Sequence, residues 1–145
     1  MRELSGLQIL ERMLRGEIPA PSMAETLSFT LTEVSEGRAV FVGTTGPHLL
    51  NPMGAVHGGW CMTLIDSATG CAALTCLPTG VGYTTVETHT NMVRPILQNA
   101  GRVTCEARVL ARGRQIITAE ATVKDAAGRL LAHGGSTLMV LQPRG

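Results

Sequence analysis

The chain has 145 residues, 44% of them hydrophobic, and a formal net charge of +1. That length fits one domain, since domains of roughly 100–150 residues are the commonest, so residues 1–145 are expected to form a single unit. The near-neutral balance offers no basic face to nucleic acid or anionic lipid, and no apolar run approaches the ~20 residues of a membrane span. Met1-Arg2-Glu3-Leu4 leads into an amphipathic pattern, not the apolar core of a signal peptide, which points to a cytoplasmic protein. Arginine outnumbers lysine eleven to one. That suits phosphate binding, and a compositional bias would produce it as well. Cys61, Cys71, Cys76 and Cys105 stand in apolar surroundings without a CxxC pair, and are read as buried thiols rather than as disulfides or a metal site.

Ser5 and Gln8 have the spacing of a capping box, Leu7, Leu10 and Leu14 follow at helical intervals, and Gly16 is a fair stop. A short amphipathic helix is expected at about 5–15. Residues 26–34 and 38–43 read as two strands joined through Ser35-Glu36-Gly37. A loop rich in Gly and Pro occupies 44–54. From about 57 to 77 the pattern is helical, with Cys61, Leu64, Ile65, Ala68 and Ala72 on one apolar stripe. Gly58, Gly59, Gly70 and Ala73 make this helix small or apolar nearly all round, the mark of a buried one.

After Pro78 and Gly80 the period changes to two. Strands are expected at 84–93, 102–112, 115–124 and 130–141, with turns at Gly113 and Gly128. In the second and third of these, apolar and polar residues alternate strictly, as in an antiparallel sheet with one covered face. Only the long central helix is large enough to cover that face. The expected class is α+β, an antiparallel sheet curled around one buried helix.

The chemistry concentrates between Asn51 and Asp66. His57-Gly58-Gly59 stands where loop becomes helix, and a helix N-terminus presents free N–H groups and partial positive charge. Glycine lets a ligand approach that backbone closely. Such a site suits a carbonyl oxygen that becomes an oxyanion, where one donor is worth about 3–4 kcal/mol in the transition state. Close helix packing accounts for the same glycines. Asp66 lies two turns inside an apolar helix, where an acid is rare unless paired or functional. It could serve as a general base or nucleophile, or be bonded to Thr63, Thr69 or a strand hydroxyl for structure alone. Gly58 and Asp66 are eight residues apart, roughly 12 Å along the axis at 1.5 Å per residue. One protomer therefore cannot offer both to one carbonyl, and a two-fold-related helix would have to supply the second group.

The pattern Asn-x-x-Gly-x-x-His-Gly-Gly, then Leu-Ile-Asp-x-Ala, then a strand ending Arg94-Pro95, resembles the hotdog-fold acyl-CoA thioesterases, in particular the group around the phenylacetate-degradation thioesterase PaaI. The resemblance is specific over 51–66 and diffuse elsewhere. It implies the hotdog fold and hydrolysis of an acyl- or aryl-acyl-CoA. Gly58 N–H would be the oxyanion donor, Asp66 the base or nucleophile, and Asn51 a positioning group for thioester or water. His57 would support the loop and touch the thioester region, and Gly59 and Thr84 would lie against the substrate. A strand hydroxyl would orient water: counting back from Arg94-Pro95 gives Thr85, counting forward from Asp66 gives Thr84. Arg94, Arg112 and Arg114 would meet the phosphates of coenzyme A. The implied assembly is a homodimer with sites at its interface, or a tetramer of such dimers. No metal or redox cofactor is implied, coenzyme A being part of the substrate.

Two similar-looking motifs are read as plain sheet positions. His133-Gly134-Gly135 repeats the letters of His57-Gly58-Gly59 inside a strand, without a helix dipole, and His89 with Glu87 has no nucleophile beside it. The competing functions are a hotdog dehydratase or hydratase pairing His57 with Asp66, and a non-catalytic acyl-CoA binder or sensor. The sensor reading is weakened by the lack of a segment for a DNA-binding module.

Overall fold

A computed structural model describes residues 3–143. The ends of the expected 1–145 unit, Met1 and Arg2 among them, lie outside the described residues. The first helix, α1 (Gly6–Leu14), begins as its sequence dictates. Ser5 Oγ accepts from the Gln8 N–H at 3.3 Å, and the Gln8 side chain accepts from the Ser5 N–H at 2.9 Å, which satisfies two of the donors a helix start leaves open. A second short helix, α2 (Ser22–Thr26), was not expected. It absorbs the start of the 26–34 segment, so β1 runs from Phe29 to Ser35. Pro21 opens α2 with φ −57°, the angle its ring imposes and a helix needs. Ser28, at φ 57°, turns the chain into the strand.

β2 (Arg38–Thr44) pairs with β1, and a 3-10 turn at Pro47–Leu49 interrupts the loop that follows. The central helix α3 spans Gly58–Leu74. It stops short of Leu77 because Pro78 disfavours helical geometry in the residue before it. The amides of Cys76 and Leu77 instead make tight bonds three residues back, to Ala73 O and Leu74 O. Then come β3 (Gly82–Met92), a 3-10 turn at Gln98–Ala100, β4 (Arg102–Arg112), β5 (Ile116–Lys124) and β6 (Leu130–Leu141).

The strands form one six-stranded sheet in the order β1-β2-β4-β5-β6-β3, with every neighbouring pair antiparallel. The sheet curls around α3, which touches all six strands. Leu64, Ile65, Ala68 and Ala72 of α3 are wholly buried, against Val103, Cys105, Ala107 and Val123. In β5 the inward residues are Ile117, Ala119, Ala121 and Val123, the alternation that the sequence displays. This is the hotdog architecture. Among the described residues, no helix is long and apolar enough to cross a membrane.

Two features of the sheet bear on the site. Among the described residues β3 pairs with β6 alone, which leaves its other edge free, whereas the β1 end of the sheet is flanked by α1 and α2. The Gly134-Gly135 pair sits where β6 and β3 draw very close. A Cβ on Gly134 would run into the His89 carbonyl oxygen, so this motif belongs to the curl of the sheet. The cysteines are free thiols, Cys61 and Cys105 fully buried and Cys71 and Cys76 half-buried.

Candidate active site

The helix start is built by its own side chains. His57 is the N-cap of α3, and its Nδ1 accepts from the Gly59 N–H at 2.8 Å. A Cβ on Gly59 would lie 2.9 Å from that nitrogen, so only glycine leaves the cap undisturbed. The Trp60 N–H reaches the His57 carbonyl at 3.0 Å. Neither cap bond uses the Gly58 N–H. Asn51 is similarly engaged: its Oδ1 accepts from the Met53 and Ala55 amides at 2.9 and 3.1 Å, which folds the preceding loop back on itself. Only its amide N–H groups are left for a ligand. Asn51, Gly58, Met92 and Arg94 line a cleft of about 270 Å³ at this end of α3. The Arg94 side chain is exposed there.

Asp66 is exposed in the single chain, contrary to the burial expected of it. Its helix packs against the sheet on every side but one, and Asp66 faces the free edge, where the sheet ends at β3. Its Oδ1 accepts from Thr85 Oγ1 at 2.9 Å and, more weakly, from Thr88 Oγ1 at 3.4 Å. Thr63 and Thr69 turn their hydroxyls elsewhere, to Gly59 O and Ile65 O. Of the two candidate threonines, Thr85 points to α3 and Thr84 is exposed on the opposite face. A β-bulge between Thr85 and Glu87 shifts the register, and so places Thr88 on the same face as Thr85.

Beside Asp66 and Thr85 opens an apolar cavity of about 380 Å³, between α1, α2, β1 and α3. Leu10, Met13, Met23, Ala24, Phe29 and Leu74 give its walls their character. Tyr83 and Cys71 also line it, and burial raises both their ionisations, the thiol to about 12. Both are uncharged at neutral pH.

Gly58 and Asp66 thus open onto different hollows of one chain. Arg112 and Arg114 are farther away still, beside Leu77 and Pro78 at the opposite end of α3 from Gly58 and Arg94. Arg112 lies 3.9 Å from Glu36, an exposed pair of the kind that contributes little. Glu87 and His89 bond to each other at 2.6 Å with both side chains about half exposed, a surface contact whose neighbouring hydroxyl, Thr137 Oγ1, donates to Glu87 at 3.2 Å. Among the described residues, no group of three or more His, Cys, Asp or Glu side chains is placed to hold a metal ion.

The sequence profile of the thioesterase superfamily matches residues 53–132. The chain belongs to the thioesterase superfamily. A protein of Saccharolobus solfataricus, provisionally named an esterase, is 30% identical over 125 residues, 86% of this chain and 87% of its own length. Of solved structures, a provisional thioesterase related to phenylacetic acid degradation, from Ralstonia eutropha JMP134, is 29% identical and superposes with a TM-score of 0.81, covering 89% of this chain and 97% of that one. The PaaI protein of the E. coli phenylacetic acid degradation operon shares the fold at 20% identity, with a TM-score of 0.82 and coverage of 95% and 94%. The matched range includes the positions of the helix start, Asp66, Thr85 and Thr88. The enzyme is accordingly a thioester hydrolase.

Two polar residues near Asp66, Thr88 and Ser136, were not named from sequence, and Thr69 was named there only as a structural partner of Asp66. Ser136 and Thr69 are buried, at 3% and 0% exposure, and their hydroxyls lie 2.7 Å apart.

Proposed function

We propose that the protein hydrolyses an acyl-CoA to the free acid and coenzyme A, in the cytoplasm, as a homodimer with its sites between subunits. One observation carries this reading: a carboxylate steadied by strand hydroxyls stands at the mouth of an apolar cavity, while the free amide of a helix start opens on a separate cleft. A two-fold axis beside Met62, midway between positions 58 and 66 in the sequence, would set two α3 helices antiparallel. Gly58 would then face Asp66 of the partner subunit. The free edge of β3 suits such pairing: Val86, Met92 and Val93 along it are 57%, 47% and 50% exposed, and bare apolar edges invite another strand. Two such dimers could assemble further into a tetramer.

In the proposed reaction the Gly58 N–H polarises the thioester carbonyl. Asp66 of the partner subunit takes a proton from water oriented by Thr85, or attacks the carbonyl carbon itself to form a mixed anhydride that water then hydrolyses to the free acid. The carbon–sulfur bond breaks, and the departing thiolate recovers a proton. His57 and Asn51 hold the Gly58–Gly59 turn in shape. The acyl group is apolar and of small-molecule size, as the roughly 380 Å³ cavity admits; pockets of about 300–1,000 Å³ enclose ligands of that scale. Arg94 meets coenzyme A at the mouth of the Gly58 cleft. The two-fold would bring Arg112 and Arg114 of the partner subunit to the same end. Hydrolysis as written needs no metal or redox cofactor.

The test is thiol release from a panel of short, long and aryl acyl-CoAs by wild type and Asp66→Ala. Loss of roughly a hundredfold or more in kcat is expected, the lower range of acid–base contributions. A variant turning over its best substrate at the wild-type rate would overturn the assignment. Hydration of an enoyl-CoA without thiol release would indicate a dehydratase instead, and tight binding without turnover a sensor.

A further inference from the structure

We infer that Thr88, Ser136 and Thr69 form a hydroxyl relay that positions Asp66 and lets it gain and lose a proton without stranding a buried donor. The inference rests on the reading of Asp66 as the acid–base or nucleophilic group. Its evidence is a line of hydroxyl contacts leading from the carboxylate into the core, long at the carboxylate and short behind it. Thr88 Oγ1 lies 3.4 Å from Asp66 Oδ1 and 2.9 Å from Ser136 Oγ. Ser136 Oγ lies 2.7 Å from Thr69 Oγ1, which in turn lies 2.8 Å from the Ile65 carbonyl oxygen.

Each hydroxyl has one proton and can also accept. When Asp66 is ionised, all three protons can point outward: Thr69 donates to Ser136, Ser136 to Thr88, and Thr88 to the carboxylate. Ile65 O then keeps its ordinary helical partner. When Asp66 is neutral, its oxygen is a poorer acceptor, and the line can reverse. Thr88 donates to Ser136, Ser136 to Thr69, and Thr69 to Ile65 O. Each of the three hydroxyls has an acceptor in both states, so none is left as an unmet buried donor, and the proton of the neutral carboxyl faces solvent. No bond to carbon changes; three hydroxyls rotate. Thr85 is outside the line and donates to Oδ1 at 2.9 Å throughout.

Within one chain, this line is the group placed to respond to Asp66. Facing Asp66 are Cys71 from its own helix and Tyr83 from β3, both kept uncharged by burial. α1, α2, β1 and β2 present only Ile9, Leu10, Met13, small residues, Thr30 and other uncharged side chains to the cavity.

The relay makes two opposite demands. Ser136→Ala removes Thr88's alternative acceptor, so the neutral carboxyl is less favoured. Thr88→Val removes a donor from the ionised form, so the charged carboxylate is less favoured. Ser136→Ala is therefore expected to move the acidic limb of the kcat profile to lower pH, and Thr88→Val to higher pH. Thr88→Ser, which keeps the hydroxyl, should behave as wild type. Both disruptive variants should lose about tenfold in kcat, a fraction of the ~10²–10⁴ that acid–base catalysis supplies, with KM within about twofold. The same opposed shifts should appear in a ¹³C NMR titration of the Asp66 carboxyl, assigned with Asp66→Asn, which needs no turnover. If Ser136→Ala does not fold, the contrast of Thr88→Val with Thr88→Ser decides. Folded variants that leave both the carboxyl titration and kcat at wild-type values overturn the relay. An active Asp66→Ala would instead overturn the reading beneath it, with the NMR titration still testing the relay by itself.

Discussion

His57 shows how far one side chain can be read. Its place before two glycines marked a helix start, and the structure gives it the work of a cap, Nδ1 accepting from the Gly59 amide. An N-cap exchanged for alanine costs typically about 1 kcal/mol, whereas asparagine is among the best caps. His57→Ala is therefore expected to lower the thermal midpoint and kcat together, and His57→Asn to restore most of both; differential scanning calorimetry with a thiol-release assay checks this. An active, stable alanine variant would remove the cap from the account. The residues around Asp66 were harder to read, for a physical reason. In a regular strand Thr85 shares a face with residue 87, because side chains alternate with period two. The bulge at Val86 flips that parity, and a bulge leaves little trace in a single sequence. It explains why Thr88 went unseen. Asp66 looked buried because its helix is apolar all round. Its exposure depends on which strand is last in the sheet, which lies in the pairing and not in the helix.

At the scale of elements, α1 with its capping box, β2 and the four strands after α3 were legible to within a residue or two, because alternation and turn residues agreed. α2 was not: at five residues it is too short to show a helical period, and the apolar residues Leu27, Phe29 and Leu31 around its end suit a strand equally well. Yet if the cavity takes the acyl group as proposed, α2 sets specificity, since Met23 and Ala24 line it beside Asp66. Ala24→Phe would fill part of that space. It is expected to raise KM severalfold for long or aryl acyl-CoAs while sparing acetyl-CoA, because a short acyl group does not reach α2. Equal losses across the series in steady-state assays would show that the acyl chain goes elsewhere.

For the molecule as a whole, the fold class was readable from one argument, that only the central helix could cover an alternating sheet, and the solved relatives share that fold. What sequence could not supply was strand order, because pairing between distant strands leaves no local pattern. That order exposes β3, and the exposed edge yields a test of the dimer. Val86→Lys puts a charge on the edge, a common device against edge-to-edge pairing. The expected result in analytical ultracentrifugation is a folded monomer, with turnover lost although Asp66 and Thr85 are intact. A monomer with wild-type kcat would place the whole site within one chain.

The strand order also sets a sequence in time. β3 carries Thr85 and Thr88, yet its one sheet partner, β6, comes last in the chain. As the polypeptide emerges from the ribosome, β3 waits unpaired through the synthesis of β4 and β5. Joining strands so far apart closes a long loop, and such contacts form slowly. Ser136 arrives on β6 itself, so the hydroxyl line behind Asp66 is completed in the same event that seats β3. A nascent chain that has not yet made β6 has the helix start of α3 but not the hydroxyl contacts behind Asp66, and is expected to show no thiol release until its final strand arrives.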